Sequence, residues 1–175
     1  MKYFKKIQGE RLYMSPINPD DYEIYTKWMN DPKVVNGLGG YGKVYALLKE
    51  KECLEKMIKS GQNYAIVLNE GDELLGNISL MDVDSRERTA ELGIFIGEEK
   101  NRGKGYGTEA IKIFLEYGFN TLNLQNIMLK VNSNNKSAIK SYEKVGFKVF
   151  GRRTKSVYEN GKYYDTIYME VLRED

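Results

Sequence analysis

The 175 residues are 41% apolar, enough for one continuous core, and 27 Lys+Arg against 25 Asp+Glu leave a net charge of +2 that gives no basis for nucleic-acid binding. Histidine is absent, which excludes Ser-His-Asp and Cys-His catalysis, imidazole bases and His-ligated metals, and the single Cys53 makes neither an intramolecular disulfide nor a four-Cys zinc site. The N-terminus has no apolar segment of a leader, and no run approaches the roughly 20 apolar residues of a membrane span, so the expectation is a soluble cytoplasmic protein with no metal, nucleic acid or membrane partner.

In chain order, Arg11 to Ile17 alternates as a strand, and Asn18-Pro19-Asp20-Asp21 supplies the cap, proline and acidic first turn of a helix. Its stripe is Ile24, Tyr25, Trp28 and Met29, and Asp31-Pro32 is expected to end it. Residues 36–43 hold four glycines and read as a loop, with a tip that is disordered or closes over a ligand. A second helix spans about 44–60 and carries Cys53 as a semi-buried thiol. Tyr64 to Leu68 and Leu74 to Met81 form a hairpin around residues 69–73, and Thr89 to Ile96 is a third strand after the polar connection Asp82 to Arg88. Helices follow at 106–119 and 135–145 with the strand Asn126 to Val131 between them. The strands Phe147 to Tyr158 and Tyr163 to Leu172 close the chain around Glu159-Asn160-Gly161. This order predicts an α/β (mixed α+β) architecture, a single domain over 1–175 with a mixed, mostly antiparallel central sheet of six or seven strands and helices on both faces.

Charge is unevenly divided. Residues 1–100 carry 14 basic and 17 acidic side chains, and residues 101–175 carry 13 and 8, so a small polyanion is better placed on the second part. There, Arg102-Gly103-Lys104-Gly105-Tyr106-Gly107-Thr108 precedes the helix at 106. Glycines at alternate positions let a ligand approach the amide hydrogens, and those amides and the helix dipole suit a pyrophosphate. Arg102 and Lys104 add side-chain charge. The spacing excludes a Walker P-loop and fits a dinucleotide fold only partly, because antiparallel strands precede it.

The pattern Arg102, Gly105, Gly107 resembles the acetyl-CoA diphosphate signature of the Gcn5-related N-acetyltransferases (GNAT). Some 30 residues on, Asn132, Asn135, Ala138, Tyr142, Gly146 and Phe147 resemble that family's next strand and helix. The resemblance covers roughly 10–172. Residues 90–97 and 158–165 look most like the branch containing ribosomal-protein N-terminal acetyltransferases (RimJ/RimL), spermidine acetyltransferases and some amino-sugar acetyltransferases.

The resemblance implies a GNAT fold with acetyl-CoA as cosubstrate and direct transfer of acetyl to a primary amine in a ternary complex, the acceptor being a protein N-terminus, a polyamine or an amino sugar. Strand 93–97 would splay from strand 126–132 to admit the pantetheine arm. Ile94, Phe95 and Ile96 would then line the cofactor, with a free amide near Phe95 or Ile96 facing the thioester oxygen. Residues 102–108, Asn132, Asn135, Lys136, Ala138 and Tyr142 complete the cofactor set. Tyr142 matches the family's general acid; on pattern alone it also reads as a core tyrosine in line with Ala138 and Val145. Where some relatives carry a glutamate base this chain has Lys130, which leaves Glu91 as the base acting through water, or as a solvated strand-end residue. The acidic stretch Asp82, Asp84, Glu87 suits a cationic acceptor and equally a solvated turn. An acyl-CoA-binding or sensing module without turnover is the alternative reading, and exposed strand edges at the C-terminal hairpin point to a homodimer.

Overall fold

The computed structural model describes residues 2–35, 38 and 42–174, so most of the glycine loop at 36–43, and its expected order or closure, lies outside the described residues. The elements are β1 Ile7–Gln8, β2 Leu12–Pro16, α1 Tyr22–Met29, α2 Pro32–Val35, α3 Leu47–Lys59, β3 Asn63–Leu68, β4 Leu74–Asp84, β5 Thr89–Ile96, α4 Tyr106–Asn120, β6 Asn126–Asn132, α5 Lys136–Lys144, β7 Lys148–Glu159 and β8 Lys162–Leu172. Short 3-10 turns at Pro19–Asp21 and Glu99–Asn101 precede α1 and the approach to α4. The sheet has the order β1-β2-β3-β4-β5-β6-β8-β7 and is mostly antiparallel, with β5 and β6 parallel. The fold is mixed α/β as expected, with eight strands rather than six or seven. The added strand, β1, is two residues long and carries no alternation to read.

The chain divides into two compact units, Met1–Ser79 with Ile94–Ile113, and Leu80–Gly93 with Phe114–Asp175. In the first unit, α1 buries Tyr25 and Trp28 in a cluster with Tyr13, Ile17, Leu54 and Val67. Trp28 meets Phe95 edge-on with ring centroids 5.9 Å apart, and Gly97 is forced by this packing, since a Cβ there would lie 2.1 Å from the indole. Asn18 caps as expected, its side chain accepting from the Asp20 amide. Pro32 does not simply end a helix. Asp31 accepts the Lys33 amide through its carboxylate and Pro32 opens α2, because the residues that stop one helix are good starting residues for the next. The second helix begins at Leu47 rather than 44: Ala46 is extended and has no capping side chain.

In the second unit, Ile127, Leu129 and Val131 of β6 are buried while Asn126, Met128 and Lys130 alternate to the other face. Phe114, Leu115, Leu124, Phe147 and Met169 are buried in the same unit. Asn160 and Gly161, at φ 49° and 78°, make the two-residue β7–β8 turn. β4 continues to Asp84, three residues into the stretch expected as connection, with Asp82 to Asp84 exposed.

Candidate active site

The first unit contains the glycine turn. Asn101 and Arg102 donate their amides to Glu98 and Glu99, and Glu109 makes the first helical bond of α4, to Gly105. Between them, the amides of Gly103, Lys104, Gly105, Tyr106, Gly107 and Thr108 donate no hydrogen bond of ordinary geometry to any described residue. A helix start alone leaves four amides open; here the open run is six residues long. Gly103 and Gly105 hold φ of 72° and 83°, a backbone region that disfavours any side chain. Gly107 does not, and a Cβ there would only touch Ile96 at 3.8 Å. The fold gives no reason for glycine at 107, where it costs about 1 kcal/mol relative to alanine, so its bareness serves whatever approaches the amides.

Arg102 is anchored by main-chain contacts. Three of its five N–H donors bond main-chain carbonyls: Ile96 at 3.1 Å, Gly97 at 3.0 Å and Lys33 at 2.7 Å. These bonds tie the turn to the end of β5 and to α2. The Lys104 side chain is exposed. Arg11 was missed entirely, although it touches the turn at Lys104 and Glu109, because 93 and 98 residues separate it from them.

The second unit brings together Asn132, Asn135, Lys136, Ala138 and Tyr142 on one strand, turn and helix. Asn135 caps α5, its side chain accepting from the Ala138 amide at 3.2 Å and from Ser137 at 3.1 Å. The turn before it is held by the hairpin: Ser133 exchanges hydrogen bonds with the Asp165 main chain, and Asn134 donates to the buried carboxylate of Glu159. Lys136 and Lys140 are exposed. Tyr142 is 9% exposed, with Phe147 edge-on at 5.9 Å, and burial pushes its phenol up to about 12. Its hydroxyl bonds no described residue, yet the only fully enclosed side-chain atom without a partner among those residues is the Tyr25 hydroxyl. The Tyr142 proton is therefore retained at neutral pH.

Glu91 does not stand alone on β5. Its carboxylate accepts from Lys130 at 2.6 Å, and this hydrogen bond raises the lysine above its ordinary value, so the ion pair persists through the neutral range. A cavity of about 290 Å3 in this unit is lined by Asp82, Glu91, Glu170, Met128 and Phe150 among others. The parallel ladder ends at Glu91 and Met128, although β5 runs to Ile96 and β6 to Asn132. Ile94, Phe95 and Ile96 belong to the first unit. Cys53 is exposed rather than semi-buried, and desolvation by its neighbours together with Glu50 raises its thiol, opposite to a reactive nucleophile.

The family model for the acetyltransferase (GNAT) domain matches residues 11–148. The chain belongs to the GNAT acetyltransferase family. This GNAT chain is 33% identical over 128 residues to spermidine N(1)-acetyltransferase of Escherichia coli (strain K12), covering 73% of this chain and 68% of that protein. It is 27% identical over 168 residues to the SPbeta prophage-derived uncharacterized N-acetyltransferase YokL of Bacillus subtilis (strain 168), covering 95% and 93%. Among solved structures, spermidine N-acetyltransferase from Vibrio cholerae in complex with CoA and spermine superposes with TM-score 0.82 at 25% identity, covering 94% and 96%. A GNAT acetyltransferase from Bacillus anthracis superposes at 0.83 and 24% identity, covering 95% and 97%. As a GNAT member the protein is an acyltransferase. None of its helices is long and apolar enough to cross a membrane, and no group of three or more Cys, Asp or Glu suited to a metal is found among the described residues.

Proposed function

We propose that this acetyltransferase transfers acetyl from acetyl-CoA to a primary amine of a polyamine by direct attack in a ternary complex. The observation that carries the cofactor half is the run of six open amides from Gly103 to Thr108 at the start of α4, a fixed array of donors for a diphosphate. The CoA held by the Vibrio cholerae relative supports the same reading.

In the reaction the amine lone pair attacks the thioester carbon, the C–N bond forms, and the tetrahedral oxyanion collapses with cleavage of C–S. Tyr142 donates its proton to the departing thiolate; its raised pKa keeps that proton in place until the sulfur needs it. The proton lost by the attacking nitrogen passes to water or, through water, to Glu91.

For the acceptor, the Asp82, Glu91 and Glu170 carboxylates and the apolar Met128 and Phe150 of the second-unit cavity suit an alkyl chain carrying ammonium groups. The relatives named spermidine acetyltransferases support that choice over an amino sugar or a protein N-terminus. Incubation with acetyl-CoA and a panel of amines, reading released thiol, tests it: spermidine or spermine should give the highest kcat/KM. The Lys130–Glu91 pair favours one other reading, a CoA-binding module without turnover; CoA binding with no thiol release for any amine would establish it. The outer strand β7, with Val149, Phe150 and Tyr158 exposed on it, supports a homodimer joined along that edge.

A further inference from the structure

Arg11 holds the glycine turn at three points. Its own amide donates to Glu109 Oε1 at 2.8 Å, its Nε to Glu109 Oε2 at 2.7 Å, and its Nη1 to the Lys104 carbonyl at 3.0 Å. The guanidinium also lies over the Tyr106 ring, 4.8 Å from its centroid. All of this lies in the first unit and concerns the same six amides.

Each contact acts on the donors. In an uninterrupted helix the Lys104 carbonyl would accept from the Thr108 amide, four residues on. Arg11 holds that carbonyl beside the left-handed Gly105, α4 starts at Tyr106, and the Thr108 amide is the last of the four that any helix start leaves open. A trans peptide points its C=O and the following N–H in opposite directions, so drawing the Lys104 oxygen toward Arg11 turns the Gly105 N–H away from it. Glu109 places a carboxylate in the first turn of α4, where it would oppose a bound diphosphate. Arg11 engages both of its oxygens and cancels that charge. The remaining nitrogen, Nη2, would lie 3.3 Å from a Cβ at Gly105 and has no hydrogen-bond partner among the described residues.

We propose that Arg11 is the positioning residue of the diphosphate site: by holding the Lys104 carbonyl and the Glu109 carboxylate, it keeps the Gly105 amide presented and the site free of negative charge. This rests on the diphosphate reading above. The test compares CoA with S-acetylpantetheine, which carries the thioester and no diphosphate, by calorimetric Kd for CoA and by KM for S-acetylpantetheine. Arg11→Ala should raise the CoA Kd about tenfold and leave the S-acetylpantetheine KM unchanged. Adding Glu109→Gln to Arg11→Ala should recover part of the loss, because the uncompensated carboxylate is gone; a purely structural arginine gives no such recovery. Arg11→Lys, which keeps the charge but not the fork, should shift CoA in the same direction by less, and serves if the alanine variant does not fold. An unchanged CoA Kd, or an equal loss for both ligands, overturns the role of Arg11 while leaving the diphosphate reading intact. Wild-type protein that binds neither CoA nor inorganic pyrophosphate overturns both.

Discussion

The Lys130 ammonium lies 2.6 Å from the Glu91 carboxylate, across the parallel pair of β5 and β6. Lys130 thereby pairs with the carboxylate expected from the sequence as the base. Lys130 occupies Glu91 Oε2 with its own hydrogen bond, and removing it frees that oxygen to accept a proton through water. Lys130→Met should therefore raise kcat/KM at neutral pH severalfold, and Glu91→Gln should lower kcat about tenfold with CoA affinity unchanged. If neither variant alters kcat, water alone takes the proton and Glu91 is a surface strand residue.

Tyr142→Phe should lower kcat about a hundredfold and change the Kd of CoA little. The phenol also leaves a mark on stability. Its folded pKa is about 12 against an ordinary 10.0, so the stabilisation is complete below pH 10 and is lost as the pH rises from 10 toward 12. Thermal melts across that window should fall less steeply in the variant; parallel curves would place the hydroxyl in water.

Glu50 is 4% exposed, one turn before Leu54 on the buried face of α3, and its side chain has no hydrogen-bond or salt-bridge partner among the described residues. Burial raises its pKa, so the folded state favours the protonated acid and loses stability as the pH climbs through the folded value. Glu50→Gln should stabilise the protein at pH 7 by about 1 kcal/mol, a rise in Tm of roughly 2–4 °C. A fall in Tm would mean the carboxylate has a partner in solution.

Substitutions in the glycine turn should separate by position. Gly107→Ala should raise the stability of the ligand-free protein by up to about 1 kcal/mol while weakening CoA binding, since only a ligand is obstructed there. Gly103→Ala should cost stability of similar size, because its φ of 72° opposes a side chain. The combination of melts and CoA titrations distinguishes them, and unaltered CoA affinity in Gly107→Ala would remove the diphosphate from this turn.

If β7 is a subunit edge, sedimentation should show a dimer at micromolar protein, and a charged residue at Val149 should shift it to monomer and make the melt independent of protein concentration. A wild-type monomer at all concentrations would end that reading.

Most elements could be read from local pattern. The helices at Tyr22, Tyr106 and Lys136 announce themselves through caps, glycines and stripes, and the Asn160-Gly161 turn through two residues that tolerate positive φ. α1 ends before Asp31-Pro32 as expected, and two short elements went unread for local reasons: Asp31-Pro32 is also chemically able to begin the helix α2, and Ile7–Gln8 is too short to show alternation. For the site, the glycine run and the Asn135 to Tyr142 helix stood in the sequence because backbone geometry and helical spacing are properties of neighbours along the chain.

By itself, then, the sequence determined the absence of histidine chemistry, the glycine turn at 103–107 and the helix that carries Tyr142. Tertiary structure alone decided who touches them. Arg102 reaching Lys33, Arg11 reaching Glu109 and Lys130 reaching Glu91 are contacts between residues 69, 98 and 39 positions apart. Charge and hydrogen-bond partners depend on distance in space, and no periodicity or local propensity encodes which of 27 basic side chains will come within 3 Å of a given carboxylate or carbonyl.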